Sequence, residues 1–234
     1  MQELLKPLDF VGVSFFITSM ALLAATVFFV LERSNVPKKW QLSMTVMTLV
    51  TGIAFVHYLY MRDIWVALAA SPITYRYIDW FITVPLQIVE FYLILAAVAM
   101  VPIMLFWRLL TASVLMLVFG YIGEAGLGDV TFYFGLGMIA WFVILYEIFL
   151  GEASEISSNS TSPACQLAFT SLRLVVTVGW AIYPIGYVLG YMTGQVDSDM
   201  LNLIYNLADF VNKIAFGMII WYAACTDQNS IANA

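Results

Sequence analysis

Seven long apolar segments restrict the possible folds of this sequence more than any other feature. Runs inside them, such as ALLAATVFFVL and FYLILAAVAM, are apolar on every side. At a rise of about 1.5 Å per residue, a helix of about 20 residues crosses about 30 Å of hydrocarbon. Each segment is long enough to do so: about 9–31, 42–62, 73–98, 100–121, 129–150, 168–191 and 201–224.

The overall composition also indicates a membrane protein. Hydrophobic residues make up 63% of the chain and charged residues only 10%, whereas soluble domains average about 45–50% and about 25%. The alternation with period two that is typical of an outer-membrane barrel is absent from the sequence. We therefore predict an all-α membrane protein, a single seven-transmembrane-helix bundle formed by residues 1–234.

Basic residues predict how this bundle is oriented, because they concentrate in the cytoplasmic loops of membrane proteins. An odd number of spans places the two termini on opposite sides. One side of the predicted bundle carries Arg33, Lys38, Lys39, Arg108 and Arg173, and the other carries only Lys6 and Arg62. We therefore expect the N-terminus outside the cell and the C-terminus in the cytoplasm.

The polar stretch GEASEISSNSTSPACQ at 151–166 is expected to be a flexible loop between the fifth and sixth spans. Cys165 and Cys225 lack the spacing of a metal site, and we expect no disulfide between them. The net charge of −6 comes largely from acidic residues in loops. The chain has no basic face, which argues against nucleic acid as a partner.

Six ionisable side chains lie within the predicted spans at positions that cannot be placed in loops. A charged side chain costs at least about 2.5–3.5 kcal/mol at the centre of a membrane helix, so such residues usually have partners and a function. A salt-bridge network that only orients helices is the alternative, but at best it breaks even with an apolar core. The six residues are His57, Arg76, Asp79, Glu90, Asp209 and Lys213.

The seventh span contains a lysine beside a carboxylate. In YNLADFVNKIAFG, Asp209 and Lys213 are four residues apart, which places them on one helix face with about 6 Å of rise between them. A buried lysine is suited to form a Schiff base with an aldehyde, because desolvation favours its neutral, nucleophilic form. Nearby carboxylates would favour the protonated imine.

The third span carries a polar stripe in RYIDWFITVPLQIVEF. Asp79, Thr83, Gln87 and Glu90 follow one another at intervals of four, four and three residues, so they share one helix face. The two acids are separated by about 16 Å of rise. We therefore expect Asp79 in the outer half of the membrane and Glu90 in the cytoplasmic half, on either side of Lys213.

Aromatic residues could line a slot for a flat, apolar ligand near the lysine. In a membrane bundle such residues more often belong to the core or to the interfacial belt, so it is their coincidence with Lys213 that makes them candidates. They are Trp80 in the third span, Trp141 in the fifth, and Trp180, Tyr183, Pro184 and Tyr187 in the GWAIYPIGY run of the sixth, together with Tyr58 in the second. Thr83 and Gln87 of the polar stripe are further candidates for contact with the ligand.

Three motifs resemble the microbial (type I) rhodopsins, and within them the proteorhodopsins. They are RYIDW followed by Thr83 and Glu90, WAIYPIGY, and LADFVNK, and the resemblance covers essentially the whole chain. It implies all-trans retinal bound to Lys213 as a protonated Schiff base in a light-driven outward proton pump, a transporter rather than an enzyme. It also implies a multi-pass protein of a bacterial inner (plasma) membrane. The implied partners are lipid, protons and further copies of the chain in a pentameric or hexameric ring.

The resemblance also implies roles for the ionisable residues. Asp79 would be the primary counterion and proton acceptor, and Asp209 the second counterion. Glu90 would be the cytoplasmic proton donor, kept protonated by its apolar surroundings. Arg76, one turn outward of Asp79, would favour the charged form of that carboxyl.

Two further positions correspond to residues with a special role in this family. His57 resembles a histidine that hydrogen-bonds the acceptor aspartate, although it could equally pack between helices. Many relatives have tryptophan where this chain has Phe16, so the sequence does not support a link across a subunit boundary there. Gln87 resembles the spectral switch of the blue-absorbing class, and its alternative is a polar residue tolerated in the bundle.

Three other functions compete with a proton pump. A photosensor would keep Lys213, but sensors commonly lack a carboxylic donor where Glu90 stands. A chloride pump would lack the carboxylate of Asp79, and a sodium pump would show an Asn-Asp-Gln pattern along the third span. In a transporter without retinal or a structural membrane protein, Asp209 and Lys213 would be a plain ion pair.

Overall fold

Seven helices form the protein in our computed structural model, which describes residues 4–160 and 162–232. All seven are long and apolar enough to cross a membrane, and the described part of the chain contains no β-strand. The helices are α1 (Phe10–Glu32), α2 (Lys38–Leu68), α3 (Ile73–Ala96), α4 (Ile103–Glu124), α5 (Val130–Ser158), α6 (Pro163–Met192) and α7 (Ser198–Ala232). The predicted all-α, seven-helix class is therefore confirmed.

Each of the helices α1 to α4 packs against the next one along the chain, and α7 returns to contact α1, α2 and α6. The third helix has the largest buried share of the seven. Large apolar side chains such as Ile139, Val178 and Leu207 are exposed on the outer surface of the bundle, as expected for helices that face lipid. The polar stripe of α3 therefore lies in the interior.

The prediction of a flexible loop at 151–166 is wrong for most of these residues. Helix α5 continues through a short segment, Glu152–Ser158, and α6 begins at Pro163, where the Ser162 hydroxyl accepts a hydrogen bond from the Cys165 amide at 3.3 Å. The Glu152–Ser158 segment buries Ala153 and Ser157 on one face. The polar composition of this segment led to the prediction of a loop, although the segment forms an amphipathic helix. Residue 161 lies outside the described residues.

The helix ends differ from the predicted span limits by up to eight residues, as at Ser158 and Ala232. Helix α2 continues to Leu68 rather than 62, and α6 begins at Pro163 rather than 168. Charged residues near these ends lowered the local hydropathy without breaking the helix, as shown by the Arg62–Asp63 ion pair at 2.6 Å. Hydropathy locates the apolar centre of a span, whereas backbone hydrogen bonding sets where the helix ends.

The carboxylate of Asp9 accepts hydrogen bonds at the start of α1 and from a residue of α2. Asp9 caps α1 by accepting a hydrogen bond from the Gly12 amide at 2.9 Å. Both of its carboxylate oxygens also lie 3.0 Å from the indole nitrogen of Trp65 near the end of α2. This contact defines one end of the bundle, here called the Asp9 end.

We expect Asp9→Ala to destabilise the protein more than Asp129→Ala. Asp129 also caps a helix, with 2.7 Å to the Phe132 amide, so it serves as a matched control. Losing a cap costs about 1 kcal/mol, and the lost bond from Trp65 to a charged acceptor adds about 1 kcal/mol or more. Thermal unfolding in detergent, followed by circular dichroism, measures the difference. Equal losses would show that the Trp65 contact contributes nothing.

Candidate functional site

The ammonium group of Lys213 lies between two carboxylates contributed by two helices. Its Nζ atom donates to Asp79 Oδ2 at 2.5 Å and to Asp209 Oδ2 at 2.9 Å. All three side chains are buried. The interval of four residues in α7 accounts for the Asp209 contact, and the other contact arises because the Lys213 and Asp79 side chains meet across the interior of the bundle.

Asp209 is held by hydrogen-bond donors from three other helices. The hydroxyl of Tyr58 in α2 donates to Oδ2 at 2.8 Å, and that of Tyr183 in α6 donates to Oδ1 at 2.6 Å. The indole nitrogen of Trp80 in α3 lies 3.2 Å from Oδ2. With Lys213, these groups give the carboxylate four donors in place of water, so its negative charge is well compensated.

Asp79 has far fewer donors than Asp209. Its Oδ2 atom is bonded to Lys213, while Oδ1 has no hydrogen-bond partner among the described residues. The Nδ1 atom of His57 lies 3.7 Å from Oδ1, which is longer than a hydrogen bond, and is 3.1 Å from the Ile53 carbonyl. The predicted histidine is therefore beside Asp79 but is not hydrogen-bonded to it in this structure.

Arg76 is bonded to neighbours other than Asp79. Its guanidinium donates to the side-chain oxygens of Asn202 and Asn206, at 2.9 Å each, and to the Tyr58 hydroxyl at 3.3 Å. The expected one-turn relation to Asp79 does not bring the groups together, because the long side chain reaches across to α7. Tyr58 instead links the guanidinium to Asp209.

The sequence analysis overlooked the two asparagines, although the sequence held a signal for them. Asn202, Asn206, Asp209 and Lys213 follow at intervals of four, three and four residues, so they form one polar stripe along α7. Both asparagines are buried. A second overlooked group is Glu124 at the end of α4, which is buried and accepts a hydrogen bond from the Tyr205 hydroxyl at 2.9 Å.

The polar stripe of α3 lies in the interior as the intervals predicted. Asp79, Thr83, Gln87 and Glu90 are all buried. The Thr83 hydroxyl donates to the backbone carbonyl of Asp79 at 3.0 Å. The Gln87 Nε2 atom and both Glu90 carboxyl oxygens have no hydrogen-bond partner in the described part of the chain.

An apolar cavity with aromatic walls ends at Lys213. Six predicted aromatic or proline residues line it, namely Trp80, Trp141, Trp180, Tyr183, Pro184 and Tyr187, and so does Gln87. Two other residues predicted to contact a ligand are not on its wall, because Tyr58 binds Asp209 and Thr83 binds the backbone of α3. The remaining lining includes Met116, Leu117 and Gly120 of α4 and Phe134, Gly137 and Met138 of α5, whose apolar sequence context gave no signal.

The aromatic wall on α6 is held by two irregular segments of that helix. Wider, π-helical turns at Val175–Gly179 and Val188–Met192 flank the segment Ile182–Tyr187. The first π-helical segment contributes two carbonyls to neighbouring helices. Trp141 Nε1 donates to the Val176 carbonyl at 3.2 Å, and Asn212 Nδ2 donates to the Gly179 carbonyl at 2.9 Å. These bonds tie the wall to α5 and to the residue beside Lys213.

The geometry combines an amine at the end of a flat apolar slot with two carboxyl groups of unequal surroundings next to it. A third buried carboxyl, Glu90, lies farther along the same stripe. Such a site suits a flat, apolar ligand attached to the amine. It also suits the transfer of a proton between the amine and one carboxylate.

Comparison with known proteins matches residues 9–227 to the family model described as bacteriorhodopsin-like protein. The green-light absorbing proteorhodopsin of Gamma-proteobacterium EBAC31A08 is 52% identical over 223 residues, which is 95% of this chain and 89% of that protein. The blue-light absorbing proteorhodopsin of Gamma-proteobacterium Hot 75m4 is 51% identical over 224 residues, again 95% and 89%.

Solved structures agree with these relatives. The crystal structure of blue light-absorbing proteorhodopsin from Med12 is similar at 55% identity with a TM-score of 0.83, covering 93% of this chain and 99% of that one. Exiguobacterium sibiricum rhodopsin is similar at 32% identity with a TM-score of 0.82, covering 92% and 96%. The chain therefore belongs to the bacteriorhodopsin-like family and is proteorhodopsin-like within it.

Proposed function

We propose that this protein is a light-driven outward proton pump that binds all-trans retinal through Lys213, and that it is a transporter rather than an enzyme. The observation that carries this proposal is the inequality of the two carboxylates on the lysine. Asp209 has donors from α2, α3 and α6, whereas Asp79 has one oxygen without a hydrogen bond. Protonation of Asp79 therefore gives up fewer stabilising hydrogen bonds to the ionised carboxylate than protonation of Asp209 would.

The cavity suits retinal in its chemistry, because its walls are aromatic and apolar and Lys213 is among the residues that line it. When bound, retinal supplies light absorption, isomerisation and an imine at this nitrogen. Trp80 and Trp180 would hold the flat chain, and Tyr183 both lines the cavity and donates to Asp209. Tyr183 therefore connects the wall of the cavity to Asp209, the proposed second counterion.

Asp79 is the proposed proton acceptor. Its Oδ2 atom is 2.5 Å from the Lys213 nitrogen, so a proton can pass directly between them. Asp209 stays ionised as the second counterion, held by its hydroxyl and indole donors. Arg76 balances this negative charge through Tyr58. His57, beside the free oxygen of Asp79, is placed to adjust how readily that oxygen takes a proton.

Glu90 is the proposed proton donor. The carboxyl is fully buried and its oxygens have no hydrogen-bond partner among described residues, surroundings that favour its neutral, protonated form. It would return a proton to the Lys213 nitrogen after Asp79 has taken one. Because the two acids lie on opposite sides of this nitrogen along α3, successive transfers move charge in one direction.

The basic residues support an orientation with the N-terminus outside the cell, which puts Asp79 towards the outside and Glu90 towards the cytoplasm. Transport is then outward, against a membrane potential worth about 2.3 kcal/mol per charge per 100 mV. The proposed location is a bacterial inner membrane. There the chain would form a ring of five or six copies, as its proteorhodopsin-like sequence suggests.

Cells that express the chain with all-trans retinal should show a visible absorption band and should acidify an unbuffered medium when illuminated. A protonophore should abolish the acidification. Lys213→Ala should remove both the band and the acidification, because none of the other residues that line the cavity has an amine side chain. The measurements are an absorption spectrum and external pH. A band without acidification would support a photosensor, and no band at all would make Lys213 part of a structural ion pair.

Substitution of the proposed proton acceptor and of the proposed proton donor should affect different steps of proton transfer. Asp79→Asn removes the acceptor, so we expect an absorption band at longer wavelength and no pumping. Glu90→Gln leaves the first transfer intact, so we expect a near-normal band but slower return of the proton, by about 10²–10⁴-fold for a lost proton-transfer group. Flash photolysis measures both steps. Identical kinetics in the two variants would contradict the assignment.

We further propose that the protein belongs to the blue-absorbing class, since Gln87 lines the cavity and its amide nitrogen has no partner among described residues. The relatives leave the colour open, at 52% identity for green and 51% for blue. Gln87→Leu should move the band to longer wavelength, because a polar group beside the chromophore is removed. Gln195→Leu, at an exposed loop position, should leave the band unchanged. An unshifted band in Gln87→Leu would remove the basis for the colour class.

A further inference from the structure

A pump of the proposed kind must deliver protons from the cytoplasm to Glu90, yet the structure buries that carboxyl completely. The ring of the next residue, Phe91, packs against Phe169 with centroids 5.2 Å apart and against Phe216 at 6.3 Å. All three rings are fully buried. Water therefore has no direct contact with the Glu90 carboxyl in this structure.

At the end of the bundle nearest Glu90, opposite the Asp9 end, a cluster of three polar side chains ties α2 to α7. Asp227 of α7 accepts from the ammonium group of Lys39, with 2.8 Å to Oδ2 and 3.1 Å to Oδ1. Its Oδ2 atom also accepts from the indole nitrogen of Trp40 at 3.1 Å. We call Lys39, Trp40 and Asp227 the latch.

The latch lies in line with Glu90. Trp40 is fully buried and lies three residues before Ser43, a buried residue close to the Glu90 carboxyl but not in hydrogen-bond geometry with it. The thiol of Cys165 at the start of α6 is within electrostatic reach of both Lys39 and Asp227. Its Sγ atom is 3.6 Å from the Ile94 carbonyl, one turn beyond Glu90 on α3. The latch thus closes the region where α2, α3, α6 and α7 meet.

The members of the latch differ in their exposure, and this difference suggests how it opens. The side chain of Lys39 is 34% exposed and that of Asp227 is 11% exposed, so water can compete for their ion pair. Trp40 is fully buried and loses its acceptor only if α7 moves away from α2. The ion pair can therefore loosen before the indole contact breaks.

We propose that Lys39, Trp40 and Asp227 close the aqueous access to Glu90, and that opening of this latch sets the rate of proton uptake. These residues are positioning residues, since none of them touches the Lys213 nitrogen or the cavity. The second half of the proposal rests on the proposed pump. The first half concerns access alone and can be tested without retinal.

Cys165 provides a reporter of access, because it is fully buried and adjacent to the latch. With Cys225→Ser it becomes the single cysteine of the chain. A water-soluble maleimide should then label it roughly threefold faster in Lys39→Gln, although loss of this nearby positive charge would by itself disfavour the reactive thiolate, so that faster labelling reports access. Asp227→Ala loses both latch contacts and should label roughly tenfold faster, in part because the lost negative charge favours the thiolate. Lys38→Gln makes the same chemical change at the exposed neighbouring lysine and should leave the labelling rate unchanged.

The labelling is done on retinal-free and retinal-treated protein in membranes. Equal rates in Lys39→Gln, Lys38→Gln and the parent would overturn the latch. If Asp227→Ala does not accumulate, Lys39→Gln and its control still decide the question, because the exposed lysines leave the core untouched.

Proton uptake after a flash, followed with a pH indicator dye, tests the second half. Faster uptake in Lys39→Gln than in Lys38→Gln is expected, and equal uptake with faster labelling would show that the latch governs access but not the rate. The absence of any visible band would defeat the pump and the rate claim together. The labelling result would still establish or refute the closure.

Discussion

The contact of one buried ammonium group with two buried carboxylates is the constraint on which the rest of the structure depends. Lys213 alone would be a costly charge in the membrane, and so would Asp79 or Asp209. Removing one partner of a buried pair typically costs about 3–5 kcal/mol because the other charge is left uncompensated. This ion cluster therefore joins α3 to α7 through their side chains across the interior, and Arg76 supplies the second positive charge through Tyr58.

The function proposed for this cluster depends on its asymmetry rather than on its charges alone. Two equally compensated carboxylates would share the proton of the amine without preference. Here Asp209 accepts hydrogen bonds from two hydroxyls and one indole, which belong to three helices. One carboxylate oxygen of Asp79 accepts no hydrogen bond from the described residues. In the proposed pump, this difference in hydrogen bonding is what assigns Asp209 as the lasting counterion and Asp79 as the proton acceptor. In the same proposal, the buried carboxyl of Glu90 is the group that returns the proton.

Much of the bundle and its site could be predicted from the sequence, because helical spacing places residues on faces without knowledge of the packing. The stripe from Asp79 to Glu90 and the pair Asp209 and Lys213 were found in this way, and all are buried as expected. The predicted loop at 151–166 failed because a seven-residue amphipathic helix is too short and too polar for hydropathy to detect. Glu124 was overlooked because the predicted fourth span ended before it.

The sequence by itself therefore determined the seven helices, the face on which each ionisable residue lies, and the order of the acids along the membrane, since these follow from hydropathy and helical periodicity. Only the tertiary structure decided which helix meets which face. It joined Arg76 to asparagines of α7 instead of to Asp79, and it left His57 near the acceptor without a hydrogen bond. The reason is that contacts between helices depend on the direction and reach of side chains across the interior, which the spacing of residues along one helix does not specify.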